Sequence, residues 1–105
     1  MGDMIERFAF VKLAPEHATD EMRRALAAQA RETLRPLPGV VAITIGLPAD
    51  EDSAKAWDLC VNVRFENLAD AALYRAHPVH RKFVDEVIAP RSAARKGWSF
   101  SIETV

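Results

Sequence analysis

The stretch from Trp57 to Phe65 constrains this chain more than any other. Trp57, Leu59, Val61, Val63 and Phe65 alternate without a break with Asp58, Cys60, Asn62 and Arg64. Successive strand side chains project to opposite faces, so strict alternation predicts a β-strand with one covered face and one open face. A covered sheet face needs helices, and the flanking sequence supplies them. Thr19 offers an N-cap followed by Asp20 and Glu21. Met22, Leu26, Ala30, Thr33 or Leu34, and Leu37 then recur at helical spacing until Pro36, Pro38 and Gly39 stop the run. Asn67, with Asp70 three residues on, resembles a second N-cap ahead of Leu68, Ala71, Ala72 and Tyr74. His77-Pro78 interrupts that helix, because a residue before proline is pushed out of the helical region. Phe83, Val84, Val87 and Ile88 then continue an apolar face up to Pro90.

The remaining strands read more simply. Met4 to Leu13 is apolar and aromatic and ends at Ala14-Pro15; Val40 to Leu47 is rich in β-branched residues. Trp98, Phe100 and Ile102 alternate with Ser99, Ser101 and Glu103. Pro48 to Ala56, acidic and aperiodic, reads as a loop. The order is therefore β-α-β-β-α-β. That is an α+β, ferredoxin-like arrangement with two helices on one face of a four-stranded antiparallel sheet, and one domain spans residues 1–105.

Composition narrows the function classes. Half of the 105 residues are apolar and 28% are charged, the balance of an ordinary globule. Fourteen Lys plus Arg face fifteen Asp plus Glu, for a formal net charge of −1, so the electrostatic footprint of a dedicated nucleic-acid binder is missing. Apolar runs stop far short of the ~18 residues that cross a bilayer, and no membrane association is expected. Cys60 is the one cysteine, which rules out an internal disulfide and a Cys-rich metal site. The N-terminal residues lack a secretory pattern, so a cytoplasmic location is expected.

The two sheet faces predict self-association. The rows Trp57 to Phe65 and Trp98 to Ile102 are the expected covered face. Asp58, Cys60, Asn62, Arg64, Ser99 and Ser101, with one apolar set from each of the first two strands, make the other. That second face is too apolar for water and too polar for a dry core. A second copy packed sheet against sheet satisfies both features, whereas a monomer would leave it solvated.

One motif carries chemistry. Tyr74-Arg75-Ala76-His77-Pro78-Val79-His80 places two of three histidines and the only tyrosine within seven residues, at a helix break. Imidazole is the side chain whose ordinary pKa allows acid and base roles near neutrality, and a tyrosine hydroxyl can donate to a developing oxyanion. Each residue also has a plainer reading. His80 shares a helical face with Val84 and Val87 and would serve as a buried histidine bonded to a carbonyl. His77 would set the pre-proline turn, and Tyr74 would pack its ring with the hydroxyl at the rim. His77 and His80, lacking a third partner, make a weak metal pair, so no metal is expected. Arg7, Asp58, Asn62 and Arg64 could line a polar cavity or simply a wet strand face. Arg91, Arg95 and Lys96 read as a solvated loop, and Cys60 as an inert core or interface residue.

With these residues in view, the chain resembles the stress-responsive α/β-barrel (Dabb) domain family. The resemblance runs through Val11-Lys12-Leu13, Pro38-Gly39-Val40, Gly46 and Phe65-Glu66-Asn67, and Tyr74 to His80 matches the family's Y-x-x-H-P-x-H signature without a gap. It implies a homodimeric α+β barrel. One plant member is a polyketide cyclase that closes a linear poly-β-keto thioester by aldol condensation without a cofactor. By motif position its base becomes His80 and its assisting tyrosine Tyr74. That enzyme also has a histidine in its first strand, and the nearest position here is Arg7. The resemblance thus implies a pocket for a small apolar or aromatic ligand, with His80 and Tyr74 catalytic and no cofactor; His77, Arg7 and Asn62 are the residues expected to bind the ligand beside them. The alternatives are a non-enzymatic stress or self-assembly protein, in which packing fills the space around His80, and a cofactor-independent monooxygenase or lactone isomerase of a related barrel.

Overall fold

The structure is a computed structural model that describes residues 4–103. Four strands, β1 (Met4–Leu13), β2 (Ala42–Gly46), β3 (Leu59–Phe65) and β4 (Ser92–Ile102), form one antiparallel sheet in the order β2-β3-β1-β4. Helices α1 (Asp20–Leu34) and α3 (Leu68–Ala76) lie in the two crossovers, as the ferredoxin-like reading requires. A short helix α2 (Glu51–Ala56) lies where a loop was expected. Asp50 caps it by accepting from the Ser53 amide at 2.8 Å, a local bond that hydrophobic periodicity does not register.

Both expected caps form. Thr19 Oγ1 accepts from the Met22 amide at 3.1 Å, and Asn67 Oδ1 accepts from the Asp70 amide at 2.8 Å. The turn after α1 depends on Gly39, at φ +87°, where an added Cβ would also meet the Asp70 side chain at 3.1 Å. Alternate β3 residues Leu59, Val61, Val63 and Phe65 are buried under the helices with Leu26, Ala30 and Leu34.

Three expectations about the faces fail. Trp57 precedes β3 and caps the end of α2, its ring tilted on Phe10 at 5.5 Å, so it leaves the covered row. Asp58, expected on the open face, is fully buried just before β3. Its Oδ2 accepts from the Leu13 amide at 2.7 Å, its Oδ1 accepts from Arg23 Nε at 2.9 Å, and Lys12 Nζ lies 3.5 Å away. Burial pushes this carboxyl up, but the Leu13 amide, Arg23 and Lys12 outweigh it and hold it below its ordinary value. It ties the end of β1 to α1 and β3.

The third reversal is in β4. Phe8 pairs with Asn62 on one side and Trp98 on the other, so Trp98, Phe100 and Ile102 share the open face with Cys60, Asn62 and Arg64. Ser99 and Ser101 lie on the helix side. An alternating pattern reveals two faces but not which one the helices cover. At an edge strand beyond the helices, the greasier face need not be the inner one. The open face accordingly carries an aromatic stripe. Phe8 meets Phe100 edge-on at 5.6 Å, Phe10 lies 6.3 Å from Trp98, and Trp98 and Phe100 are 52% and 53% exposed.

Candidate functional site

On the helix side, β1, β4 and the second helical segment border a cavity of about 690 Å³, lined by Arg7, Ala9, Val61, Tyr74, His80 and Val84 among others. Tyr74 and His80 converge there because the backbone breaks between them. His77 takes φ −60° and ψ 134°, ending α3, and Pro78 starts α4 (Pro78–Phe83). The chain then widens into a π turn, Val84–Ile88, whose Val84 and Ile88 side chains border the cavity. Such single wide turns recur at functional sites. The Ile88 and Val87 carbonyls at its end accept from Ser92 Oγ at 2.6 Å and Arg91 Nη1 at 2.8 Å.

His80 is half-buried, and its Nδ1 lies 3.1 Å from the Arg75 carbonyl oxygen. A carbonyl only accepts, so Nδ1 carries the proton and donates it. Nε2 is then the nitrogen left with a lone pair. Burial lowers the pKa of this imidazole, and the positive charges of Arg7 and Arg75 add to the effect. The Arg75 carbonyl and Asp85 oppose it without reversing it. His80 is therefore neutral at pH 7. Its two plainer and sharper readings coincide: it is bonded to a backbone carbonyl and also borders the cavity.

Tyr74 is buried between Phe65 and His80, with ring centroids 5.1 and 4.6 Å away. Burial pushes its hydroxyl up to about 12, with Arg7 pulling the other way, so it stays a donor across the physiological range. Arg7 lies on the same floor. A Cβ on Gly97 would meet its Nη2 at 2.6 Å, and the guanidinium thus lies over a strand position that only glycine leaves clear.

Two expected ligand-binding residues are elsewhere. Asn62 faces the open side of the sheet, where its Oδ1 accepts from Cys60 Sγ at 3.1 Å. Burial pushes that half-buried thiol up. His77 turns its Nδ1 onto the Val79 amide at 3.1 Å and caps α4 instead of lining the cavity. His77 and His80 thus use their Nδ1 atoms on different backbone partners. Arg64 pairs with Glu6 at 3.0 Å on the open face. Conversely, Arg75, Arg81 and Arg95 line the cavity, a grouping the sequence does not announce, since residues 91–96 read as a loop and β4 in fact begins at Ser92. A continuous strand through Arg95 and Gly97 was the missing signal.

Among the described residues, no helix is long and apolar enough to cross a membrane. No curated protein matches the chain. Solved structures do. A Dabb family protein with a ferredoxin-like fold from Mesorhizobium loti superposes at a TM-score of 0.80 and 17% identity, over 97% of this chain and 99% of its own. A dimeric ferredoxin-like protein of unknown function from Thermobifida fusca gives 0.80 at 20% identity, over 97% and 93%. The hydroxynitrile lyase of Passiflora edulis gives 0.79 at 11% identity, over 100% and 98%. At such identities the likeness speaks for the fold alone. Membership is carried by the sequence itself: the model of the stress responsive A/B barrel domain (Dabb) matches residues 5–96, from β1 into β4, and the chain belongs to that family.

Proposed function

We propose that this protein works as a cytoplasmic homodimer whose cavity takes a small apolar or aromatic carbonyl compound and moves a proton on it without a cofactor. The pairing rests on the aromatic stripe, and on the dimeric state of the similar Thermobifida fusca protein. The chemistry rests on one observation: an imidazole whose Nδ1 is held by the Arg75 carbonyl stands beside a buried tyrosine at a cavity of about 690 Å³. The self-assembly alternative expects that space to be filled, and a volume above the ~300 Å³ at which ligand pockets begin speaks against it.

In this reading His80 Nε2 takes a proton from the carbon next to the carbonyl. The C–H electron pair becomes the carbon–carbon double bond of an enolate, and the Tyr74 hydroxyl donates to its oxygen. On a poly-β-keto thioester the enolate carbon would then attack a second carbonyl of the same chain. The imidazolium would return its proton to the new alkoxide, completing the aldol addition, and loss of water from that β-hydroxy carbonyl would give the condensed ring of a polyketide-cyclase product.

Phenylacetone tests the first step. Its methylene protons exchange slowly in D2O, and proton NMR follows their loss. The protein should accelerate that loss. His80→Ala should lower the protein-dependent rate by roughly 100-fold or more, the usual range for removing a general base, and Tyr74→Phe should lower it less. Equal rates for the wild type and His80→Ala would remove the proposal.

A further inference from the structure

The charges around the cavity point further. Arg7, Arg75, Arg81 and Arg95 line it, and not one carboxylate does among the described residues. This is no reflection of the whole chain, whose net charge is −1. Among the described residues, Lys12, Arg23, Lys55, Arg64 and Lys82 each have an acidic partner within 4.0 Å; Arg24, Arg31, Arg35 and Arg91 do without one on the outside, and the four cavity arginines do without one around a shared space. Arg7 is the most telling. It is half-buried on the cavity floor, its one side-chain hydrogen bond among the described residues is a long 3.5 Å approach to Ser99 Oγ, and Gly97 leaves the space it occupies. Burial and the like charge of Arg75 both weigh against its protonated form. A cation half out of water without a counter-ion is costly unless an anion arrives to complete it.

We infer that the ligand of this cavity is an organic carboxylate, its charged end held on the Arg7 guanidinium and its apolar body lying along Ala9, Val61 and Val84 toward His80. A planar guanidinium matches a carboxylate with two parallel hydrogen bonds, which a point charge does not. The other three arginines set a positive approach that favours anions on the way in. The inference rests on the cavity being a ligand site, and it adds the class of ligand.

Phenylpyruvate and phenylacetone differ in that a carboxylate replaces a methyl group, so calorimetry on the intact protein isolates the charge. Phenylpyruvate should bind at least ten-fold tighter at low salt, and the ratio should shrink as salt rises. Arg7→Gln should bring the ratio near one. Arg7→Lys should leave an intermediate preference, and Gly97→Ala, by displacing the guanidinium, should reduce it as well. Phenylpyruvate binding no tighter than phenylacetone, or inorganic phosphate binding tighter than phenylpyruvate, would overturn the inference. The readout is separate from proton exchange: a carboxylate preference without His80-dependent exchange would leave this inference standing and end the proton-transfer reading, and the reverse result would do the opposite.

Discussion

Trp98→Asp combined with Phe100→Asp should convert the protein from dimer to monomer at micromolar concentration while leaving its fold intact. Both rings lie on the open face of the sheet, about half exposed in the single chain, and neither takes part in the buried core. Burying such a ring yields about 1.5 kcal/mol at the lower end of the usual range. A two-fold interface uses every residue twice, so four rings amount to roughly 6 kcal/mol, or about four powers of ten in Kd. The introduced carboxylates would also face their symmetry mates, adding repulsion. Sedimentation should show the change in mass and far-UV circular dichroism should show none in secondary structure. A double variant that sediments like the wild type would place the subunit contact elsewhere.

Asp58→Ala should strongly destabilise the folded chain. Its carboxylate is fully buried and satisfies the Leu13 amide and the Arg23 guanidinium together. Removing one partner of a buried pair costs about 3–5 kcal/mol, because what remains is a stranded charge and an unmet amide. Arg23 can still reach Asp20 at 2.9 Å, which puts the expected loss near the lower end, about 3 kcal/mol. Asp58→Asn should lose less, since an amide oxygen still accepts from Leu13. Because the folded carboxyl lies below its ordinary value of 3.8, its contribution is present above that pH and fades as pH falls through the folded value. Urea midpoints of the two variants decide the matter: equal midpoints for Asp58→Ala and wild type would contradict the assigned role.

These three residues also mark how far the sequence is legible. The element order, both helix caps and the break at His77-Pro78 follow from signals of a few residues, which local hydrogen bonding and backbone sterics decide. Tyr74 and His80 could be singled out because their partnership is local, seven residues spanning one break. Failures came where register decides. Asp58 fits the alternation perfectly, yet the strand starts one residue later, and the carboxylate turns inward to meet an arginine 35 residues away. Trp98 and Phe100 alternate as a covered row would, and only pairing to Phe8 shows that they face outward. The arginines of the cavity come from β1, α3, α4 and β4, so nothing in any one segment reveals their convergence.

Proton transfer in this cavity depends on His80 being a neutral base with its proton on Nδ1. Nitrogen-detected NMR of the imidazole reads that directly, on protein labelled with 15N in histidine. At pH 7 the His80 ring should appear as the Nδ1–H tautomer, the minority form in free histidine. It should gain its second proton only at a pH below the ordinary 6.5, because burial and the nearby arginines oppose the charge. The unfolded chain binds that proton more readily, so folding stability should drop as pH falls below 6.5, and His80→Gln should flatten the drop. A ring carrying its proton on Nε2 at pH 7, or one that titrates above 6.5, would contradict the assignment of His80 as the base.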